Sequence, residues 1–149
     1  MKISKKCQYA LKAVFELAWR NKQDEPVKTY DIAEAQHISP RFMEIILNEL
    51  KHGGFVESRR GNEGGYILAR DPKKLTVREV IEFIQGPISA SPNAKVGSSK
   101  DLRFGDLAFN ELWQQANNAM HQVFESKTFA ELVEFEEAKS GAKIPNYSI

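Results

Sequence analysis

The apolar pattern predicts a mainly α chain with one small β-hairpin, an α+β fold built as a winged helix-turn-helix domain plus a long helix. Three observations predict it. Ser39-Pro40 opens a helix three to four residues after another has ended. Two short strand candidates follow that helix and are joined by a glycine-rich loop. Farther on, apolar residues alternate at spacings of 3 and 4 over two heptads.

In chain order, Ala10, Leu11, Val14, Leu17 and Ala18 mark one face of an amphipathic helix from Ser4 to about Asn21. Asp24-Glu25-Pro26 breaks it. A short helix follows, with Thr29 as the expected N-cap and Ile32 and Ala33 facing inward. The turn Gln36-His37-Ile38-Ser39 leads to a helix whose Ser39 hydroxyl caps it and whose Pro40 takes the first helical position. Met43, Ile46, Leu47 and Leu50 form its buried stripe, and Gly53-Gly54 ends it. Strand candidates Phe55–Arg59 and Tyr66–Arg70 flank Arg60-Gly61-Asn62-Glu63-Gly64-Gly65, a loop suited to positive φ angles. A hairpin placed directly after a helix-turn-helix is a wing. Thr76 and Glu79 form a capping box for a helix through Val80, Ile81, Phe83 and Ile84, stopped at Gly86-Pro87. A small, polar linker is expected over 87–101, a long helix over 102–125, and a second capping box, Thr128/Glu131, before a short acidic helix. The expected division is 1–86 (winged helix-turn-helix), 87–101 (linker), 102–139 (long helix and C-terminal helix) and 140–149 (tail).

Composition narrows the function classes. The 149 residues are 42% hydrophobic and 28% charged, which excludes wholesale disorder. No apolar run approaches the roughly 20 residues needed to cross a bilayer, and the basic N-terminus lacks the features of a signal peptide. A cytoplasmic protein with no membrane partner is expected. One cysteine and three scattered histidines exclude a disulfide framework and leave no all-cysteine metal site within one chain, so neither metal nor cofactor is expected. The net charge of +1 divides unevenly: residues 1–75 carry 14 Lys+Arg against 10 Asp+Glu, and residues 76–149 carry 7 against 10. A basic first half is what a polyanion-binding module needs. Nucleophile motifs, phosphate loops and metal triads are missing, and the glycine string 61–65 leads into a strand rather than the helix of a dinucleotide site, so no enzyme is expected.

Arg41, Glu44, Ile45 and Asn48 lie off the buried stripe of the helix that Ser39-Pro40 starts. From a recognition helix in the major groove, Arg41 would donate to guanine and Glu44 would accept from a cytosine amino group. The plainer reading is a set of solvated helix residues. Arg59 and Arg60 precede the wing tip, where an arginine can enter a narrow minor groove, or else pair on the surface with Glu57 or Glu63. Gly61, Gly64 and Gly65 form the turn and let the backbone approach DNA closely. Lys2, Lys5 and Lys6 are phosphate-contact candidates. Cys7 reads first as a small packed residue and second as a redox-sensitive thiol, its pKa lowered by Lys5, Lys6 and the helix N-terminus. The apolar seam Phe109, Leu112, Ala116, Ala119 and Val123, with Trp113 and Met120 beside it, reads as a dimer interface or core rather than a ligand pocket.

The segment 38–69, ISPRFMEIILNELKHGGFVESRRGNEGGYILA, closely resembles the Rrf-two family of bacterial transcription regulators, the IscR/NsrR/CymR group. Its most specific piece is Arg60-Gly61-x-x-Gly64-Gly65-Tyr66-x-Leu68. The opening MKISKK, Leu112-Trp113 and Thr128-Phe-Ala-Glu-Leu132 match as well, so the resemblance covers about residues 1–135. It implies a homodimeric winged-helix repressor or activator, with the long helix packed against its dimer mate and the wings flanking a palindromic operator. Arg60 would be the wing arginine. Many members hold an iron–sulfur cluster on three cysteines between the fourth helix and the dimer helix, whereas residues 87–105 here contain neither cysteine nor histidine. The chain looks more like the cluster-free branch, whose cysteine-metabolism regulator responds through a partner enzyme. A metabolic enzyme or a small-molecule effector is therefore a candidate partner beside DNA and a second copy. Gln8 departs from the arginine common in the family. The alternative function is a protein-interaction module that docks a partner through its winged helix or its acidic C-terminal helix (Glu131, Glu134, Glu136, Glu137).

Overall fold

The computed structural model describes residues 2–21, 25–91 and 101–141. Six helices and one hairpin follow in order: α1 (Lys5–Arg20), α2 (Thr29–Ala35), α3 (Pro40–His52), β1 (Val56–Arg59), β2 (Gly65–Leu68), α4 (Val77–Gln85), α5 (Asp106–Ser126) and α6 (Phe129–Ser140). Residues 92–100 of the expected linker and 142–149 of the expected tail lie outside the described residues. Among those described, no helix is long and apolar enough to cross a membrane.

Local chemistry sets most of the boundaries. The Ser4 hydroxyl accepts from the Cys7 amide to start α1, and Ser39 accepts from Phe42 to start α3 with Pro40 in its first turn. Complete capping boxes, Thr76 with Glu79 and Thr128 with Glu131, open α4 and α6. Two expected starts differ. The N-cap of α2 is Lys28, and Thr29 lies inside the helix without capping it. The long helix begins at Asp106, not Leu102. Gly105, at φ 106, takes a left-handed conformation that turns the chain, while the Asp106 carboxylate accepts from the Arg103 amide at 2.7 Å.

The main core sits where α1, α2, α3 and α6 meet. Met43, Ile46, Leu47 and Leu50 are fully buried there with Ala10, Ala13, Val14 and Ile32. Each large side chain so buried stabilises the fold by about 1.5–3 kcal/mol relative to exposure. The hairpin is antiparallel, with Val56 opposite Leu68 and Arg59 opposite Gly65. A short bridge from Val27 to Tyr66 fastens β2 to the chain before α2.

The core also crosses the expected boundary between the first and last segments. Phe129 and Val133 of α6 are buried in the same cluster as α1 and α3. Backbone bonds from Val77 to Lys127, Phe129 to Leu75 and Ala130 to Pro72 tie the α6 start to the chain before α4. By packing, α6 is part of the helix-turn-helix unit. Helix α5 is different, since none of its residues is buried in one chain. Its inward side carries Met120 and Phe124 against a small cluster of Cys7, Ile81 and Ile88. His121 Nε2 donates to the Ile88 carbonyl at 3.0 Å, and the Ala90 amide donates to Asn117 Oδ1 at 2.5 Å.

Candidate nucleic-acid interface

Helix α3 presents two chemically distinct faces. With its apolar stripe buried, Arg41, Glu44, Ile45 and Asn48 all point to solvent. Ile45 is 55% exposed. That leaves a branched apolar side chain uncovered on this face. The turn before α3 is tight: His37 takes φ 54, and Ile38 is buried behind it.

The first turns of α1 lie beside the start of α3. Tyr9 and Phe42 meet edge to face, 5.7 Å between centroids at 84°, and Lys5 Nζ lies 5.8 Å from the Tyr9 ring. Lys2 and Lys5 are exposed here. Lys6, the third lysine expected along the backbone, pairs with Glu49 at 2.8 Å and links α1 to α3. The segment before α1 is fixed by Gln85, whose Oε1 accepts from the Ser4 amide and whose Nε2 donates to the Lys2 carbonyl. Gln8 donates to the Ile3 carbonyl.

At the wing, Arg59 and Arg60 are exposed, and among the described residues neither is held by an ion pair, so the expected alternative of pairing with Glu57 or Glu63 is not adopted. Gly61, at φ 111, makes the turn, closed by the Gly64 amide donating to the Gly61 carbonyl at 3.0 Å. The other two glycines serve a purpose the sequence did not suggest. A Cβ on Gly65 would press on the Val27 carbonyl, and one on Gly64 would press on the Arg59 carbonyl. The close approach they permit is to the protein's own backbone.

Sequence reasoning also missed Arg70. Its Nε and Nη2 donate to the carbonyls of Gly54 and Gly53 at 3.3 Å, its guanidinium lies 4.3 Å from the Phe55 ring centroid, and Nη1 is 3.5 Å from Glu79. One side chain thereby joins the end of α3, the base of the wing and the first turn of α4. Phe83 packs on Phe55, centroids 5.0 Å apart, and fills the space that a Cβ on Gly53 would need. A lone arginine at a strand end carries no local signal of such bonding.

Cys7 is fully buried, and burial pushes its thiol pKa up. The lowered pKa of the redox-thiol reading is therefore corrected: packing against Ile81 and Ile88 outweighs the nearby lysines and the helix N-terminus. A three-cysteine iron–sulfur cluster does not fit either. The chain has this single, enclosed cysteine, and among the described residues no group of three or more His, Cys, Asp or Glu could hold a metal ion.

On α5, Phe109, Leu112, Ala119 and Val123 are exposed, with Trp113 and Ala116 half-buried and the Phe109 and Trp113 rings stacked at 6.2 Å. Met120, expected beside the seam, is half-buried and packs on the Cys7 cluster.

The sequence and fold are similar to those of known proteins. Residues 3–135 match the family Rrf2, described as "Iron-dependent Transcriptional regulator". A putative HTH-type transcriptional regulator of Mycobacterium tuberculosis is 34% identical over 139 residues, covering 89% of this chain and 81% of its own. The HTH-type transcriptional regulator CymR of Bacillus subtilis is 30% identical over 142 residues, covering 95% and 96%. The solved structure of that CymR, called the global cysteine regulator, superposes with a TM-score of 0.76 at 31% identity over 91% of this chain and 98% of its own. These relatives are transcription regulators, not enzymes, and the chain belongs to the Rrf2 family of winged-helix, DNA-binding transcriptional regulators.

Proposed function

We propose that this chain is a sequence-specific reader of double-stranded DNA that acts as a homodimeric repressor on a palindromic operator, without an iron–sulfur cluster. The observation that carries the reading is the exposed face of α3, where Arg41, Glu44, Ile45 and Asn48 stand clear of a fully buried apolar stripe. Seated in the major groove, that face offers a guanine donor, a cytosine acceptor, a methyl contact and an amide. Lys2, Lys5 and the α3 start at Ser39-Pro40 would lie along the backbone, and Arg60 would reach the minor groove from the wing tip.

The exposed apolar stripe of α5 supports dimerisation, since 21 helical residues with none buried leave their apolar side uncovered in one chain. Pairing through Phe109, Leu112, Trp113, Ala116, Ala119 and Val123 would set two α3 helices about 34 Å apart, or a multiple of it, matching half-sites on one face of the duplex. Repression then follows from occupancy, with the bound dimer blocking polymerase.

Selection of genomic fragments by the purified chain near physiological salt tests this reading. An enriched inverted repeat is the expected result. Flat recovery, or binding without steep salt dependence, would favour a protein-interaction module.

A further inference from the structure

We propose that Gln85 is a positioning residue for DNA binding: from the end of α4 it holds the segment before α1 so that Lys2 meets a backbone phosphate beside the groove that α3 enters. This role rests on the DNA-reading proposal above.

Residues 2–4 are neither helix nor strand, so no backbone ladder orders them. Side chains do so instead. Gln85 Oε1 accepts from the Ser4 amide at 3.0 Å, and Gln85 Nε2 donates to the Lys2 carbonyl at 3.1 Å. One amide group thereby acts as a residue of a paired strand would, accepting from one backbone group and donating to another. Gln8 Nε2 donates to the Ile3 carbonyl at 3.0 Å, and the Ile3 side chain packs with Cys7, Ile81 and Ile88. The backbone is held from both α1 and α4 while the Lys2 side chain stays exposed.

This held segment leads along the edge of the α3 face. Tyr9 of α1 meets Phe42, and Lys6 of α1 pairs with Glu49. Phe42, Ile45 and Glu49 follow one another at spacings of 3 and 4, so they share one side of α3. The start of α1 therefore runs beside the exposed Ile45 and the outward face. With α3 in the major groove, lysines on this flank lie at the backbone rather than at the bases. Lys5 is ordered by α1 itself, whereas Lys2 lies outside the helix. A tethered Lys2 gives up less conformational freedom on contact than one on a loose end. Gln85 carries no charge, so its effect on a phosphate contact is exerted through Lys2.

A double-mutant cycle with Lys2→Met and Gln85→Met tests this role. The readout is the affinity of the full chain for a duplex carrying the selected inverted repeat and for a shuffled duplex of equal length. Lys2→Met should weaken both by about threefold to tenfold and lower the magnitude of the logarithmic salt slope by about 1. Gln85→Met should weaken both by about threefold to tenfold in the parent chain, yet by less than about twofold in the Lys2→Met chain. The affinity ratio of the two duplexes should stay in place, because phosphate contacts carry no sequence. Hydrogen exchange at the Ser4 amide should quicken in Gln85→Met, with the melting temperature within about 4 °C of the parent. Equal losses from Gln85→Met in both backgrounds would overturn the proposal, as would unchanged affinity, unchanged Ser4 exchange or a larger drop in melting temperature. A parent chain that binds neither duplex would refute the DNA reading and this role together. Parent binding with additive variants would refute the role of Gln85 alone.

Discussion

Replacing Gly65 with alanine probes how the wing is held. The added Cβ would crowd the Val27 carbonyl, lying 2.5 Å from its carbon and 2.9 Å from the Lys28 nitrogen. All of these are backbone atoms, so no side chain can rotate away. The chain must separate by about 1 Å to restore ordinary contact. Separation stretches the two bonds that fasten β2, Val27 amide to Tyr66 carbonyl at 2.9 Å and Tyr66 amide to Val27 carbonyl at 2.8 Å. Each contributes about 0.5–1.5 kcal/mol net, and steric misfit of this kind costs about 1–3 kcal/mol. A loss of about 2–4 kcal/mol is expected by urea denaturation, with faster hydrogen exchange at the Val27 and Tyr66 amides and weaker duplex binding from a displaced wing. Gly61→Ala is the control: no atom lies within 4 Å of its added Cβ, and only the φ of +111 opposes it, at about 1–2 kcal/mol. A Gly65→Ala chain within about 0.5 kcal/mol of the parent, with unchanged exchange, would refute the reasoning.

Other perturbations separate contact from positioning. Arg60→Ala should weaken duplex binding and lower the magnitude of the logarithmic salt slope by about 1, with the oligomeric state unchanged by sedimentation. Arg70→Ala should also weaken binding, by roughly tenfold, yet leave the slope unaltered, because its guanidinium bonds to the Gly53 and Gly54 carbonyls rather than to phosphate. For Cys7, the raised pKa means that the fold favours the neutral thiol. Its contribution to stability is therefore full below the free-thiol value of 9.0 and is lost as pH climbs through the raised one. A thiol reagent at about pH 8, below that free-thiol value, should react with the native chain at the rate of unfolding; fast labelling of folded protein would contradict the burial.

What was legible in the sequence was local. Ser39-Pro40 and the two capping boxes announce helix starts within four residues, and the period of Met43, Ile46, Leu47 and Leu50 announces which face is inside. The outward face of α3 follows by subtraction, so its candidate residues are readable from the apolar period alone. What was not legible depends on distant partners. Nothing near Gly65 in sequence reports Val27, and nothing near Lys6 reports Glu49. The membership of α6 in the main core could not be read from its acidic composition, because only Phe129 and Val133 carry the burial. On α5, Met120 lies beside the heptad seam in the sequence, and its packing on Cys7, Ile81 and Ile88 depends on elements far away in the chain. Cys7 shows the same limit, since adjacent lysines are visible in the chain and a covering Ile81 is not.

The most direct test of DNA reading by α3 is to select genomic fragments with the parent chain and with Glu44→Ala side by side. The expected result is the same inverted repeat with base preference relaxed at one position in each half-site, symmetrically, by about 1–3 kcal/mol of discrimination. An identical motif from both proteins, at equal affinity, would contradict the placement of α3 in the major groove.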